Sequence, residues 1–122
     1  MPASSEAPTL AVLVRQDLGM GPGKVAAQVG HAAVGCSLAS RTAASHRFER
    51  WRNEHGRLVV LAVPDEEALR TRQEQAEVLG IVHKAVRDAG RTEVPAGTWT
   101  VLGLGPAPAN VLAPLIEGLA TY

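Results

Sequence analysis

Two unbroken apolar runs constrain the fold of this chain most strongly. The first spans residues 10–14, the second spans residues 58–63, and a long stretch with helical spacing lies between them. Runs without polar alternation are typical of strands covered on both faces, which is the usual setting of parallel strands in α/β proteins. Two such strands joined through a helix therefore predict an α/β fold.

The helices that follow these runs have local start and stop signals. The first helix is expected at about 23–40, and a basic, polar segment continues over 41–57. A second helix begins after an N-cap at Asp65 and ends at Leu79, because Gly80 is a natural stop.

The last third of the chain predicts two more strands. They are expected at 81–86 and 98–104, separated by a loop over 87–97 that carries two glycines and a proline. The segment GPAPAN then leads into a short helix that Pro114 limits or kinks. We therefore predict a single-domain α/β fold, with a sheet of about four strands and helices on both faces.

Composition narrows the classes of protein to consider. The 122 residues, 46% of them hydrophobic, suit one domain, expected over 9–122 after a flexible tail over 1–8. Twelve basic residues balance twelve acidic ones, which argues against adhesion to nucleic acid or membrane through bulk charge. Cys36 is the single cysteine, and the longest apolar runs of about six residues fall far short of the roughly 20 that span a bilayer. We expect a cytoplasmic protein with no signal peptide and no membrane partner.

A glycine-rich turn follows the first predicted strand. Lys24 falls in the first turn of a helix, directly after the three glycines of DLGMGPGK. A lysine is unfavourable there because the helix N-terminus is electropositive, so an anionic partner such as phosphate is expected. The alternative is a solvated surface lysine. A Walker A loop is excluded, since Leu18 and Val25 stand where that motif needs a glycine and a hydroxyl.

The same helix carries a polar row beside its apolar stripe. Gln28 and His31 follow Lys24 by four and seven positions and share its face, which predicts a cleft wall. For His31 alone, a hydrogen-bonded histidine inside the fold is the alternative. Small residues between Ala26 and Gly35 allow this helix to approach the sheet, or a second subunit, closely.

A second polar cluster, RDAGRT, follows the third predicted strand. Asp88 is expected to meet Lys24 if the two strand ends are neighbours, because α/β proteins place their sites at such ends. Thr92, Thr98 and Thr100 add hydroxyls, and the last two are expected on one face of a strand. The alternative for Asp88 is an Asx-turn.

These segments resemble a known family over nearly the whole chain. DLGMGPGKVAAQVGHAAVG and VRDAGRTEVPAGTWTVLGLGPAP, in this order, are similar to the peptidyl-tRNA hydrolases of the second type, the archaeal and eukaryotic kind. The resemblance implies a mixed four-stranded sheet flanked by helices, a homodimer, and hydrolysis of the ester that joins a peptide to the 3′ end of tRNA.

The resemblance also implies site residues at the matching positions. The implied catalytic residues are Lys24, Asp88, Thr92 and Thr100. The implied substrate-binding residues are Gln28, His31 and Thr98. Two positions depart from the family's pattern: Pro22 stands where members commonly carry a basic residue, and Glu93 stands where they often have glutamine.

The available chemistry points to water as the nucleophile. No serine lies on a nucleophile-elbow pattern, and the four histidines lack metal-ligand spacing, so we expect neither a metal nor a cofactor. Asp88 would orient or deprotonate the water, and threonine hydroxyls would position it. Lys24 would hold Asp88 ionised and stabilise the developing oxyanion or a nearby phosphate.

Charge is segregated along the chain although its total is zero. Segment 41–57 holds five arginines against two glutamates, whereas segment 65–77 holds five acids against two arginines. Arg87 and Arg91 flank Asp88 and are expected to meet the end of a tRNA. The alternative for the basic segment is a solvated helix with intrahelical ion pairs. A second function remains open, a catalytically idle domain that binds RNA or a protein partner.

Overall fold

A computed structural model describes residues 6–90 and 93–122 of the chain. Within these ranges the chain forms four strands and four helices in one domain. The elements are β1 (Pro8–Arg15), α1 (Pro22–Ala43), α2 (Ser45–Asn53), β2 (Leu58–Val63), α3 (Glu66–Leu79), β3 (His83–Arg87), β4 (Trp99–Pro108) and α4 (Ala109–Ile116). No helix in the described ranges is both long and apolar enough to cross a membrane.

The four strands form one mixed sheet in the order β2-β1-β4-β3. The two unbroken apolar runs pair in parallel, with Leu10 opposite Leu58, and β4 runs antiparallel to both β1 and β3. The C-terminal residues cover the outer edge of β2, where Tyr122 N–H donates to Val60 O at 3.0 Å. The predicted α/β class with a mixed sheet is therefore confirmed.

Alternation along β1 divides the core between the two faces of the sheet. Leu10, Val12 and Val14 face α1, while Ala11 and Leu13 face α3 and α4. Because successive side chains of a strand point to opposite faces, a fully apolar strand requires helices on both sides. The predicted helices on both faces are present.

Small residues let α1 lie very close to β4. A Cβ atom placed on Gly103 of β4 would meet Cys36 Sγ at 2.7 Å and the Cβ and carbonyl oxygen of Ala32 at 3.3 Å. Close approach to the sheet is thus one use of the smooth helix surface that the sequence predicted. The contact at Gly103 therefore sets the distance between α1 and the sheet.

The predicted boundaries need correction at several places. The basic segment contains a helix, α2, and β1 begins at Pro8, inside the range expected to be a tail. The fourth strand continues through Pro108 and does not end before GPAP, because the first residues of β1 pair with it: Pro8 lies opposite Pro108 and Thr9 opposite Ala107. Thr98 lies just before β4, so it is not a strand residue.

Candidate functional site

A cleft of about 590 Å³ lies beside the first turns of α1, at the end of the sheet where β3 finishes. Lys24, Gln28 and His31 of α1 line it, and so do Arg87 and Asp88 at the end of β3. The rest of the lining is Gly23, Ala27, Val86, Ala89 and Glu93. Five residues that the sequence predicted as site residues therefore share one cavity.

The centre of the cleft is an ion pair between Lys24 Nζ and Asp88 Oδ1. Both side chains are nearly buried, with 9% of Lys24 and 3% of Asp88 exposed. The other carboxylate oxygen, Oδ2, accepts the Gly90 N–H at 2.6 Å. Burial removes both charges from water, so each depends on the other for its stabilisation. The anion expected near Lys24 is thus present within the chain itself.

The two strands that carry this pair are not neighbours in the sheet. Lys24 follows β1 and Asp88 follows β3, and β4 lies between those strands. Since β4 is antiparallel to both, β1 and β3 run in the same direction and end at the same edge. Helix α1 packs across β4 and carries the lysine over it to the aspartate.

Two linked, buried hydrogen bonds join α1 to the sheet beneath the cleft. Gln28 Nε2 donates to Thr100 Oγ1 at 2.8 Å, and Thr100 Oγ1 donates to Val86 O at 3.2 Å. Val86 pairs with Val101 and Arg87 pairs with Trp99, so Thr100 is the extra residue of a β-bulge. The bulge turns the Thr100 hydroxyl toward α1, where it holds the amide of Gln28.

The spacing of Thr98 and Thr100 predicted two residues of one strand, but only Thr100 lies in β4. The Thr98 hydroxyl donates to Pro95 O at 2.7 Å within its own loop, whereas the Thr100 hydroxyl is fully buried between β3 and α1. Thr98 precedes the strand, so the prediction of a shared strand face does not apply to it. Arg91 and Thr92 lie outside the described residues.

His31 and Arg87 border the cleft in different ways. His31 is exposed, so the alternative of a histidine inside the fold does not hold. Arg87 lies with its guanidinium carbon 5.3 Å from the centre of the Trp99 ring, and Nη1 donates to Gly97 O at 3.2 Å. A stacked guanidinium keeps most of its five N–H donors for other partners.

Glu93 is a site residue whose contact the sequence did not reveal. Its Oε1 accepts the N–H of Gly21, the N-cap of α1, at 2.8 Å. Gly21 has no side chain to cap the helix, and the first turn of α1 contains no acidic residue. These absences were the available signal that a carboxylate from elsewhere stabilises the helix N-terminus.

The remaining titratable groups offer little chemistry near this pair. Cys36 lies on the buried face of α1, and burial raises the pKa of its thiol to about 12. Across residues 6–90 and 93–122, no three histidine, cysteine, aspartate or glutamate side chains come together as metal ligands would.

Fold and site define a single-domain α/β protein with a polar cleft built on a buried lysine–aspartate pair. The model of the family described as peptidyl-tRNA hydrolase PTH2 matches residues 9–122. The chain therefore belongs to the peptidyl-tRNA hydrolase PTH2 family.

Curated relatives from archaea and eukaryotes agree with this assignment. The chain is 40% identical over 97 residues to the peptidyl-tRNA hydrolase of Thermoplasma volcanium, covering 80% of this chain and 83% of that protein. It is 41% identical over 119 residues to peptidyl-tRNA hydrolase 2 of Saccharomyces cerevisiae, covering 93% of this chain and 57% of the yeast protein. A human relative named peptidyl-tRNA hydrolase 2, mitochondrial, is 39% identical over 111 residues, covering 91% of this chain and 62% of that protein.

Proposed function

We propose that this protein hydrolyses the ester bond of peptidyl-tRNA and releases the peptide and free tRNA. The observation that carries the proposal is the buried Lys24–Asp88 pair, which lines an open cleft in a member of the peptidyl-tRNA hydrolase PTH2 family. A pair of opposite charges held out of water is costly unless it is well satisfied, and charged groups of this kind concentrate at functional sites.

The proposed reaction uses water as the nucleophile. Water oxygen attacks the ester carbonyl carbon, the bond from that carbon to the ribose oxygen breaks, and the ribose oxygen takes a proton. Asp88 orients the water and accepts its proton, because its carboxylate lines the cleft beside the ammonium group of Lys24. The Lys24 ammonium has two further N–H donors with which to stabilise the developing oxyanion.

Thr100 contributes to this mechanism through Gln28. Its hydroxyl is buried and shared between Gln28 Nε2 and Val86 O, so it is a positioning residue. Because that hydroxyl donates to Val86 O, it must accept from Gln28, and the amide is fixed with its N–H toward the sheet. The Gln28 carbonyl oxygen is then the acceptor available to substrate. Thr92, and Arg91 beside it, remain predictions from the sequence.

A peptide-release assay with purified protein and peptidyl-tRNA tests the activity. Lys24→Ala and Asp88→Ala are each expected to slow hydrolysis by about 100-fold or more, the scale of losing a charge-stabilising or proton-transfer group. Near-normal rates in both folded variants would remove the pair from the mechanism. Absence of turnover in the wild type, with tRNA still bound, would instead support the idle binding domain.

We also propose that the face of the sheet covered by α1 and α2 binds the tRNA backbone. Arg52 pairs with Glu49 inside α2, and Arg50 pairs with Glu54 just after its last residue, as expected for a solvated helix. In the part of the chain that the structure describes, however, the side chains of Arg41, Arg47 and Arg57 have no hydrogen-bond or ion-pair partner. Three unpaired guanidinium groups on one segment favour phosphate contacts.

The salt dependence of tRNA affinity distinguishes specific phosphate contacts on this surface from an effect of net charge. Arg47→Glu is expected to weaken tRNA binding and to flatten the dependence of affinity on salt concentration. Arg70→Glu is the matched control, because it changes the net charge equally on α3, which covers the opposite face of the sheet. Equal effects of the two variants would show that α2 has no specific role.

The assembly that we propose is a homodimer through α1. Val34 and Leu38 are 59% and 60% exposed and lie one turn apart on this helix, and exposed apolar groups of this size favour an interface. Light scattering is expected to give about twice the 12.8 kDa of one chain. Leu38→Glu should halve that mass, whereas Val78→Glu, at an exposed position on α3, should not.

A cytoplasmic location is part of the same proposal. Its support is the single cysteine, which is buried and unpaired, as is usual in a reducing compartment. The human relative is named mitochondrial, so fractionation of the source cells with an antibody to this chain is the direct test.

A further inference from the structure

We propose that Glu93 is a positioning residue for the hydrolysis described above. Its carboxylate fastens the loop that follows Asp88 to the start of α1, and so keeps Asp88 aligned with Lys24 across the cleft. This role rests on the proposed function. It differs from that of Lys24 and Asp88 because Glu93 acts on them through the backbone of Gly21.

The start of α1 leaves a vacancy that Glu93 fills. Gly21, the N-cap, has no side chain, and Pro22 has no N–H to donate. The first turn holds a lysine and no acid, so its own side chains do not complement the electropositive helix end. Glu93, 72 positions further along the chain, supplies a carboxylate that accepts the Gly21 N–H at 2.8 Å.

The contact leaves little room beside Gly21. A Cβ atom at position 21 would lie 3.3 Å from Glu93 Oε2, so the carboxylate would have to shift slightly to admit it. The loop itself is closed at its base by two backbone bonds, from Asp88 N–H to Thr98 O at 2.9 Å and from Gly97 N–H to Asp88 O at 2.8 Å.

Two polar side-chain contacts then tie this loop to α1 among the described residues. One is the Lys24–Asp88 ion pair and the other is the bond from Gly21 to Glu93. If the second tie is lost, the loop is held against the helix by the ion pair and by the packing of Val94 beside Met20 and Val25. The orientation of the Asp88 carboxylate then becomes less defined, which lowers the rate of the chemical step more than it lowers substrate affinity.

Two substitutions separate the hydrogen bond from the charge. Glu93→Ala removes both, whereas Glu93→Gln keeps an oxygen that accepts the Gly21 N–H. We expect Glu93→Ala to lower kcat for peptidyl-tRNA by about five- to tenfold, the factor that one net hydrogen bond contributes to an equilibrium, with KM within about twofold. Glu93→Gln should retain kcat within about twofold. Equal loss in both variants would assign the effect to charge and overturn the proposal.

Substitutions of the donor provide a second, matched pair. Gly21 has φ −69°, which proline adopts, so Gly21→Pro removes the N–H without changing this angle. Gly21→Ala adds a Cβ in the same place and keeps the donor. Gly21→Pro should reproduce the loss of Glu93→Ala, Gly21→Ala should be milder, and the double variant Gly21→Pro/Glu93→Ala should be no slower than either alone. Multiplied losses in the double variant would contradict a shared contact.

Hydrogen exchange of the Gly21 amide, followed by NMR, reports the contact without any substrate. The amide should be protected in the wild type and in Glu93→Gln, and should exchange at least fivefold faster in Glu93→Ala. An active wild type with unchanged kcat in Glu93→Ala would overturn the positioning role alone. A wild type that does not hydrolyse peptidyl-tRNA would overturn the proposed function, and the positioning role with it.

Discussion

Replacing Gly103 by alanine is expected to destabilise the protein by forcing α1 away from the sheet. The added Cβ would lie 2.7 Å from Cys36 Sγ, closer than real Cβ contacts, and 3.3 Å from two atoms of Ala32. Cys36 and Ala32 are fully buried, so neither can turn into solvent. The strain must be relieved by moving the helix that carries Lys24 and Gln28.

The cost follows from the size of this overlap. Inserting one methyl group into a well-packed core costs about 1–3 kcal/mol, and a chain of this length loses about 4 °C of Tm for each kcal/mol. Gly103→Ala should therefore lower Tm by about 4–12 °C. Hydrolysis should fall as well, because displacement of α1 separates Lys24 from Asp88.

Thermal unfolding followed by circular dichroism measures the change in Tm, and two further variants serve as comparisons. Gly30→Ala, on the same helix but with open space around its Cβ, should stabilise the protein by about 0.5–1 kcal/mol. Adding Cys36→Ala to Gly103→Ala should recover part of the loss, because it deletes the nearest atom. Unchanged stability in Gly103→Ala, or additive losses in the double variant, would refute the close packing.

Three further predictions concern single groups. Because burial raises the pKa of the Cys36 thiol to about 12, a thiol reagent at pH 8 should label the native protein at least 100-fold more slowly than the urea-unfolded chain. The hydrogen bond from Arg15 lowers the pKa of Asp17 below its ordinary 3.8. Above about pH 4 the wild type should therefore be slightly more stable than Asp17→Asn, by under about 1 kcal/mol because the ion pair is partly exposed. Acid denaturation of both proteins should show this difference in stability disappearing as the pH falls through the lowered pKa. Asp65→Ala should cost about 1 kcal/mol in urea unfolding, because Asp65 Oδ1 accepts the Ala68 N–H at 3.0 Å as the N-cap of α3.

Elements with local signals could be predicted closely from the sequence. Helix α3 has its N-cap at Asp65 and its left-handed stop at Gly80, both within one turn of the helix that they delimit. The apolar runs of β1 and β2 predicted parallel strands, and they pair in parallel. Burial on both faces holds for β1, whereas β2 lies at the edge of the sheet and only its last two residues are buried. Lys24 and Asp88 were each predicted as candidates, because Lys24 lies in the first turn of the helix after β1 and Asp88 directly follows β3, but their pairing depends on the path of α1.

Boundaries that depend on a partner strand were not predictable in this way. Glycine and proline in GPAP are typical of a turn, yet β4 continues through Pro108 because Pro8 and Thr9 of β1 pair with it. The bulge at Thr100 depends on how β3 and β4 align, so neither it nor the start of β4 after Thr98 could be predicted from the local sequence.

Sequence by itself determined the α/β class, the ends of α3 and the residue types that supply the chemistry, since these depend on periodicity and on neighbours within a few positions. Tertiary structure decided the strand order and the path of α1 across β4, which brings Lys24 to Asp88. It also decided that Glu93 caps a helix 72 residues earlier in the chain. Such contacts join segments far apart in the chain, so they exist only when the packing of the sheet and helices has fixed the distance between them.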